Sequence, residues 1–104
     1  MIKPISKLNY CDPTFHLYVV KVNFREIGQD RVNFMIKLKS MGIGTQVHYI
    51  PVHLQPLYRK MNSNDMFSGA KNYYQNVISL PFYPDLTHKE IDYIISCILK
   101  VIKN

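Results

Sequence analysis

The stretch HLYVVKVNF, residues 16–24, decides the fold class. It is rich in aromatic and β-branched residues and free of Gly and Pro, the composition of a strand. Tyr18, Val20, Val22 and Phe24 share one face by the period of two, and Leu17, Val19 and Lys21 share the other. Both faces are largely apolar, which predicts a central strand. Gly28 breaks it, and Asp30 then offers an N-cap carboxylate to the next element. From Arg31 to Met41, the apolar residues Phe34, Met35, Leu38 and Met41 recur at helical spacing. Gly42 follows where a C′ glycine with positive φ is expected.

Working outward, Gly44–Ile50 is predicted as a second strand, with Val47 and Tyr49 on one face and Gln46, His48 and Ile50 on the other. Pro51 and Pro56 bracket Val52–Gln55, which is therefore pinned, extended and closed to regular helix. Leu57–Met61 reads as one short turn and Asn62–Asp65 as a polar loop. Ser68–Tyr74 reads as a short helix, and Val77–Leu80 as a third strand stopped by Pro81. Thr87-His88-Lys89-Glu90 is a capping box. Behind it, Ile91, Ile94, Ile95, Ile98, Val101 and Ile102 form one stripe that must bury against a sheet.

Met1–Phe15 shows no period and holds Pro4 and Pro13, so residues 1–15 read as an extended leading segment and 16–104 as the domain proper. The element order implies an α+β, two-layer sandwich: a small antiparallel or mixed sheet of about three strands with helices on one face. The opposite sheet face then needs a cover. Leu17, Val19 and the aromatic surplus at Tyr73, Tyr74, Phe82 and Tyr83 would supply that sticky surface.

The chain has 104 residues, 47% of them hydrophobic and 19% charged, which excludes intrinsic disorder. One domain with a radius of gyration near ~13 Å is expected. Thirteen Lys and Arg against 7 Asp and Glu give a net charge of +6. The basic residues are dispersed, with only Arg59 and Lys60 adjacent, whereas nucleic-acid binding wants a concentrated patch. Nucleic acid is therefore not the expected partner. Cys11 and Cys97 do not make a disulfide framework and read as two free thiols of a reducing compartment. The N-terminal residues develop no signal-peptide core, and no window reaches the ~18 apolar residues of a membrane span. A cytoplasmic location without membrane attachment is the expectation.

His48 and His53 look like a metal pair, but no Cys, Asp or Glu stands within that stretch to complete a site. Cys97 lies on the buried stripe, where a thiol stays inert. The acids are too thinly spread to nominate a pair for acid–base work. Gly42-Ile43-Gly44 lacks the pattern of a phosphate loop. The chemically dense segment is GIGTQVHYIPVHLQPLY, residues 42–58. Its His, Tyr and Gln side chains donate and accept hydrogen bonds, and its prolines hold them rigidly. Such a surface suits a sugar or other polyhydroxylated ligand, or a polar domain interface. The alternative is a structured loop whose histidines satisfy local carbonyls.

GIGTQVHYIPVHLQPLY resembles the motif near the C-terminus of the DegT/StrS-type nucleotide-sugar aminotransferases, which use pyridoxal phosphate. HLYVV at 16–20, Phe67-Ser68-Gly69-Ala70, Tyr73-Tyr74, Ile78-Ser79-Leu80-Pro81 and the capped final helix resemble that family's flanking landmarks in the right order. Within the family, the likeness leans to transaminases making 4-amino sugars for pseudaminic-acid-type surface glycans, such as the UDP-4-amino-4,6-dideoxy-N-acetyl-altrosamine transaminases.

The resemblance implies the small C-terminal domain of an aspartate-aminotransferase-type, fold type I enzyme. The whole enzyme is dimeric and moves an amino group from glutamate to a keto-sugar nucleotide. Family members carry the Schiff-base lysine, the carboxylate facing the pyridine nitrogen and the phosphate cup in an upstream large domain. None of the basic residues here sits in such a motif, so no catalytic or cofactor-binding residue is nominated. The chain alone is expected to be inactive and not to bind pyridoxal phosphate by itself.

The resemblance places His48, Tyr49 and His53, with Gln46 and Gln55, at the mouth of the active site as substrate-binding residues. The leading expectation is thus the C-terminal portion of such an aminotransferase, from a truncated or split reading frame. The alternatives are a stand-alone module that pairs with a separately encoded large domain, and an RNA-binding α+β domain with exposed strand aromatics.

Overall fold

The computed structural model describes residues 1–61 and 66–103. The polar loop predicted at Asn62–Asp65 lies outside the described residues. Numbered in chain order, the strands are β1 (Ile2–Pro4), β2 (Tyr18–Val22) and β3 (Val77–Leu80). The helices are α1 (Phe24–Ile27), α2 (Arg31–Ser40), α3 (Pro56–Arg59), α4 (Ser68–Asn76) and α5 (His88–Lys103). The sheet is antiparallel in the order β1–β2–β3, so the 16–24 stretch supplies the central strand as its two apolar faces predict.

Register separates the two faces. Ile2 opposite Val22, and Val20 opposite Ile78, belong to the face that α2 and α5 cover. Val20, Val22, Phe24, Phe34, Leu38, Ile43, Ile78, Ile94, Cys97, Ile98 and Val101 form one core there. Phe34 and Leu38 are fully buried, and Phe34 meets Phe24 edge-on with ring centroids 5.8 Å apart. Each such side chain contributes roughly 1.5–3 kcal/mol of burial free energy. The second face carries Lys3 opposite Lys21, and Val19 opposite Ser79.

Local chemistry sets the helix ends. Asp30 accepts the Asn33 backbone N–H at 2.8 Å as the N-cap of α2. At the other end, the Gly42 N–H reaches the Lys39 carbonyl at 2.9 Å, and the Ile43 N–H reaches that of Leu38 at 3.0 Å. These two bonds are the Schellman pattern, with Gly42 at φ 78° and Ile43 dropped into the core. Before α5, the Thr87 N–H and hydroxyl both donate to the Glu90 carboxylate, and the Glu90 N–H returns to the Thr87 hydroxyl.

Three expectations are corrected. First, Gly44–Ile50 is not a strand; it touches the sheet through a single bridge between Gln46 and Ser79. In an antiparallel pair the mutually hydrogen-bonded positions recur every second residue. On the free edge of β3 those flanking Ser79 are Val77, which caps the end of α4, and Pro81, which has no N–H. One rung is all that edge offers. The third strand comes instead from Ile2–Pro4, a piece of the leading segment too short to show a period, on an outer edge where Pro is tolerated. Second, the 16–24 strand stops at Val22, because Asn23 caps α1 by accepting the Glu26 N–H at 3.1 Å. Third, Val52–Leu54 is a 3₁₀ turn rather than extended chain, with the Leu54 N–H on the Pro51 carbonyl at 2.9 Å.

The α5 stripe buries Ile94, Cys97, Ile98 and Val101 but leaves Ile91 and Ile95 exposed, where they line an apolar opening with Tyr18 and Phe82. On the second sheet face, Leu17, Val19, Tyr73 and Phe82 line an apolar groove of about 420 Å³ with Pro4, Ile5, Phe15 and Tyr18. Tyr74 does not join it; the Arg31 guanidinium sits over its ring at 4.6 Å and bonds its carbonyl. The radius of gyration is 15.5 Å, above the ~13 Å of a tightly packed chain of this length. Among the described residues, no helix is long and apolar enough to cross a membrane. Cys11 and Cys97 are both free.

Candidate functional site

The Schellman exit of α2 determines where the dense segment starts. With Ile43 anchored in the core, the chain passes beside β3. There the Gln46 N–H bonds the Ser79 carbonyl at 3.1 Å, and the Ser79 N–H bonds that of Gln46 at 2.8 Å. Ser79 follows Ile78, a core residue, so its side chain points to the opposite sheet face. It is the only buried polar residue among the described ones, 5% exposed. Its hydroxyl lies 2.8 Å from Nδ1 of His48 and shares a hydrogen bond with it. A buried hydroxyl must find a partner, and this one finds an imidazole rather than a carbonyl.

Tyr49 then packs edge-on against His48, ring centroids 4.8 Å apart and planes at 89°, and is itself 76% exposed. The opposite-face arrangement expected of a strand does not hold, because the pleat ends at the Gln46–Ser79 bridge. His48 is partly exposed and stands at the surface with Tyr49, not in the core.

Beyond Pro51 the 3₁₀ turn carries His53 against Phe67, ring centroids 4.9 Å apart. His53 Nε2 is buried without a hydrogen-bond partner among the described residues. The ring borders an open pocket of about 380 Å³ lined by Pro51, Val52, His53, Tyr58, Phe67 and Ala70. Pro56 at the first turn of α3 suits a helix start, since its missing N–H would be unpaired there anyway. The Gln55 carbonyl accepts the N–H groups of Tyr58 and Arg59.

Of the five residues singled out by sequence, His48 and Tyr49 are in ring contact, and His53 sits at a neighbouring aromatic pocket. Gln46 and Gln55 act through their backbones, and both are exposed. Two residues were missed. Ser79 positions His48, and its signal was a lone hydroxyl inside the apolar run Val77–Leu80. Phe67, like Ser79, enters the sequence reading only as a family landmark, and no sequence spacing pairs it with His53.

The run 42–58 contains no Lys, Asp or Glu, and every lysine of the chain is exposed. The corner therefore does not fit as a holder of pyridoxal phosphate, which needs an amine for its aldehyde and an acid for its ring nitrogen. Its hydroxyl, phenol and imidazoles fit the recognition of a neutral polar ligand.

Residues 3–99 match the model of the DegT/DnrJ/EryC1/StrS aminotransferase family. The spore coat polysaccharide biosynthesis protein SpsC of Bacillus subtilis is 37% identical over 92 residues, which is 86% of this chain and 24% of that protein. Spr1654 from Streptococcus pneumoniae, solved in its PLP form, is 30% identical with a TM-score of 0.78, over 98% of this chain and 26% of that one. PseC of Helicobacter pylori, an aminotransferase involved in the biosynthesis of pseudoaminic acid, is 26% identical with a TM-score of 0.74, over 85% of this chain and 24% of that one. The fold agrees with the α+β expectation. The chain spans about a quarter of the length of these relatives.

Proposed function

Since the chain belongs to the DegT/DnrJ/EryC1/StrS aminotransferase family, whose cofactor is pyridoxal phosphate, we propose that it is the C-terminal portion of an aminotransferase acting on a keto-sugar nucleotide. The product would enter surface polysaccharide or glycan biosynthesis. On this reading a large domain beyond these residues carries the cofactor and its lysine, and the present chain forms the substrate-side wall. His48 and Tyr49 contact the sugar, with His53 beside them and Gln46 and Gln55 shaping the backbone. The finer assignment is the 4-amino-sugar branch, in a dimeric enzyme of the cytoplasm.

One observation carries the reading. Buried Ser79 orients the imidazole of His48 at the surface beside a phenol that is 76% exposed. A loop that only satisfied its own carbonyls would not spend its buried hydroxyl on a surface imidazole. The apolar groove at Leu17, Val19, Tyr73 and Phe82 supports a large-domain partner, whether covalent or separately encoded. The reading frame just upstream separates those two cases.

The test is a chimera in which these 104 residues replace the matching quarter of SpsC. It should aminate a nucleotide-linked 4-keto-6-deoxyhexose with glutamate as donor, the aminated carbon being read by NMR of the product. The isolated chain mixed with pyridoxal phosphate should give no borohydride-reducible adduct. A stoichiometric adduct at one lysine, or a folded chimera that never turns over, would overturn the proposal.

A further inference from the structure

We infer that the outer face of α5 is an interface between two copies of this chain, joined antiparallel about a two-fold axis. The inference is independent of the aminotransferase reading. Ile94, Cys97, Ile98 and Val101 fill the core, yet α5 carries a second apolar stripe beside them. Ile91, Ile95, Leu99 and Ile102 recur at intervals of four, four and three, the spacing that keeps side chains on one face. Ile91, Ile95 and Leu99 are 37%, 50% and 49% exposed, and Ile102 is partly buried. Tyr18 and Phe82, ring centroids 6.2 Å apart, extend the patch at the N-terminal end of α5, around an opening of about 330 Å³. A surface helix ordinarily buries one stripe and turns polar groups to water; this one keeps a run of carbon at the surface as well.

The stripe is complementary to itself when reversed. Setting Ile95 against Leu99 of a second copy sets Ile91 against that copy's Ile102, at the opening beside Tyr18 and Phe82. The same register decides the flank. Asp92 follows Ile91 and Lys103 follows Ile102, so both lie along one edge of the stripe, at opposite ends. A two-fold axis across the helix brings Asp92 of each copy beside Lys103 of the other, giving two ion pairs. Parallel helices would instead oppose Asp92 to Asp92 and Lys103 to Lys103. Both residues are exposed, and neither is in an ion pair among the described residues. An isologous contact of this kind closes on itself, so it gives a dimer and not a fibre. The exposed parts of Ile91, Ile95, Leu99, Tyr18 and Phe82 would bury roughly 400–500 Å² per copy, near the lower limit of specific interfaces, so the dimer is a weak one.

Sedimentation velocity of the 104-residue chain from about 10 µM to about 1 mM should show monomer passing to dimer and to nothing larger. Ile95→Lys should weaken association about tenfold or more, because it sets an ammonium against Leu99 of the second copy. Asp92→Lys should weaken it too. Asp92→Lys combined with Lys103→Asp should restore it, a rescue that damage to the fold cannot produce. Val32→Lys, at a 65% exposed apolar site on α2, should leave association unchanged. Fusing the preceding residues of SpsC to the N-terminus tests the other occupant, a segment of the same chain. Association should persist in that fusion; its loss would assign the stripe to the upstream segment and overturn the proposal. A chain that stays monomeric at the highest concentration, or a dimer indifferent to the α5 variants, would overturn it as well.

Discussion

Ser79 serves the dense segment twice: its backbone exchanges both bridge hydrogen bonds with Gln46, and its hydroxyl holds His48 at 2.8 Å. The two roles are separable by mutation, because Ser79→Ala removes the hydroxyl and keeps the bridge. The loss of one partly buried hydrogen bond should cost about 1 kcal/mol in urea denaturation. His48→Ala takes away the partly exposed imidazole that covers the buried Ser79 hydroxyl, so that water can reach and replace it, and should cost less. In the SpsC chimera the order reverses. His48→Ala should lower kcat/KM about tenfold, the worth of one directed hydrogen bond, with Ser79→Ala following partway. If His48→Ala collapsed stability and left kinetics unchanged, the histidine would be a structural one.

Gly42 and Gly44 make a matched pair two residues apart. A Cβ at either meets nothing within 4 Å, so sterics with neighbours do not distinguish them. Backbone conformation does: only Gly42 has positive φ, at 78°. Gly42→Ala should destabilise the chain by about 1–2 kcal/mol, the cost of the left-handed region for an L-residue. Gly44→Ala should be neutral or slightly stabilising, since it restricts the unfolded chain without a native penalty. Thermal melts of the two variants decide it.

Phe34 is wholly buried and touches Phe24 edge-on, whereas Ile36, two residues along the same helix, is 58% exposed. Phe34→Ala should cost about 3–5 kcal/mol, a large part of the ~5–15 kcal/mol that holds a domain together. Ile36→Ala should stay within about 0.5 kcal/mol. Urea midpoints of both variants check the difference.

What the sequence disclosed follows from how local each feature is. The central strand, the α2 caps at Asp30 and Gly42, and the Thr87–Glu90 box are written in contiguous residues, and each forms as predicted. The failure at Gly44–Ile50 came from a partner's edge: alternation there was real, but β3 had only one rung to give. Ile2–Pro4 was invisible for the converse reason, since three residues including a Pro become a strand only because Val20–Val22 are waiting opposite. At the candidate site, the family likeness nominates His48, Tyr49 and His53, while the pairing of Ser79 with His48 and of Phe67 with His53 emerges only when the chain is folded. Ile91 and Ile95 lie on the predicted stripe yet remain exposed, lining an apolar opening with Tyr18 and Phe82.

The capping box carries a pH signature. Glu90 accepts the Thr87 backbone N–H at 2.8 Å and the Thr87 hydroxyl at 2.7 Å. The backbone hydrogen bond first, and the hydroxyl second, favour the ionised carboxylate and hold its pKa below the ordinary 4.5. The sign follows by linkage: a carboxyl whose pKa is lower when folded contributes stability above its unfolded value, and that contribution is lost as pH falls through the folded value. Glu90→Gln should therefore lower the melting temperature at neutral pH and converge on the parent as pH drops below 4.5 and through the lower folded value. Thr87→Ala removes the N-cap oxygen as well and should cost about 1 kcal/mol at neutral pH. Part of that loss should persist in acid, because the hydroxyl's bond to the Glu90 N–H does not depend on ionisation. Parallel melting curves of parent and Glu90→Gln, with a gap that stayed constant from neutral pH to acid, would show that the carboxylate is not what the Thr87 groups hold.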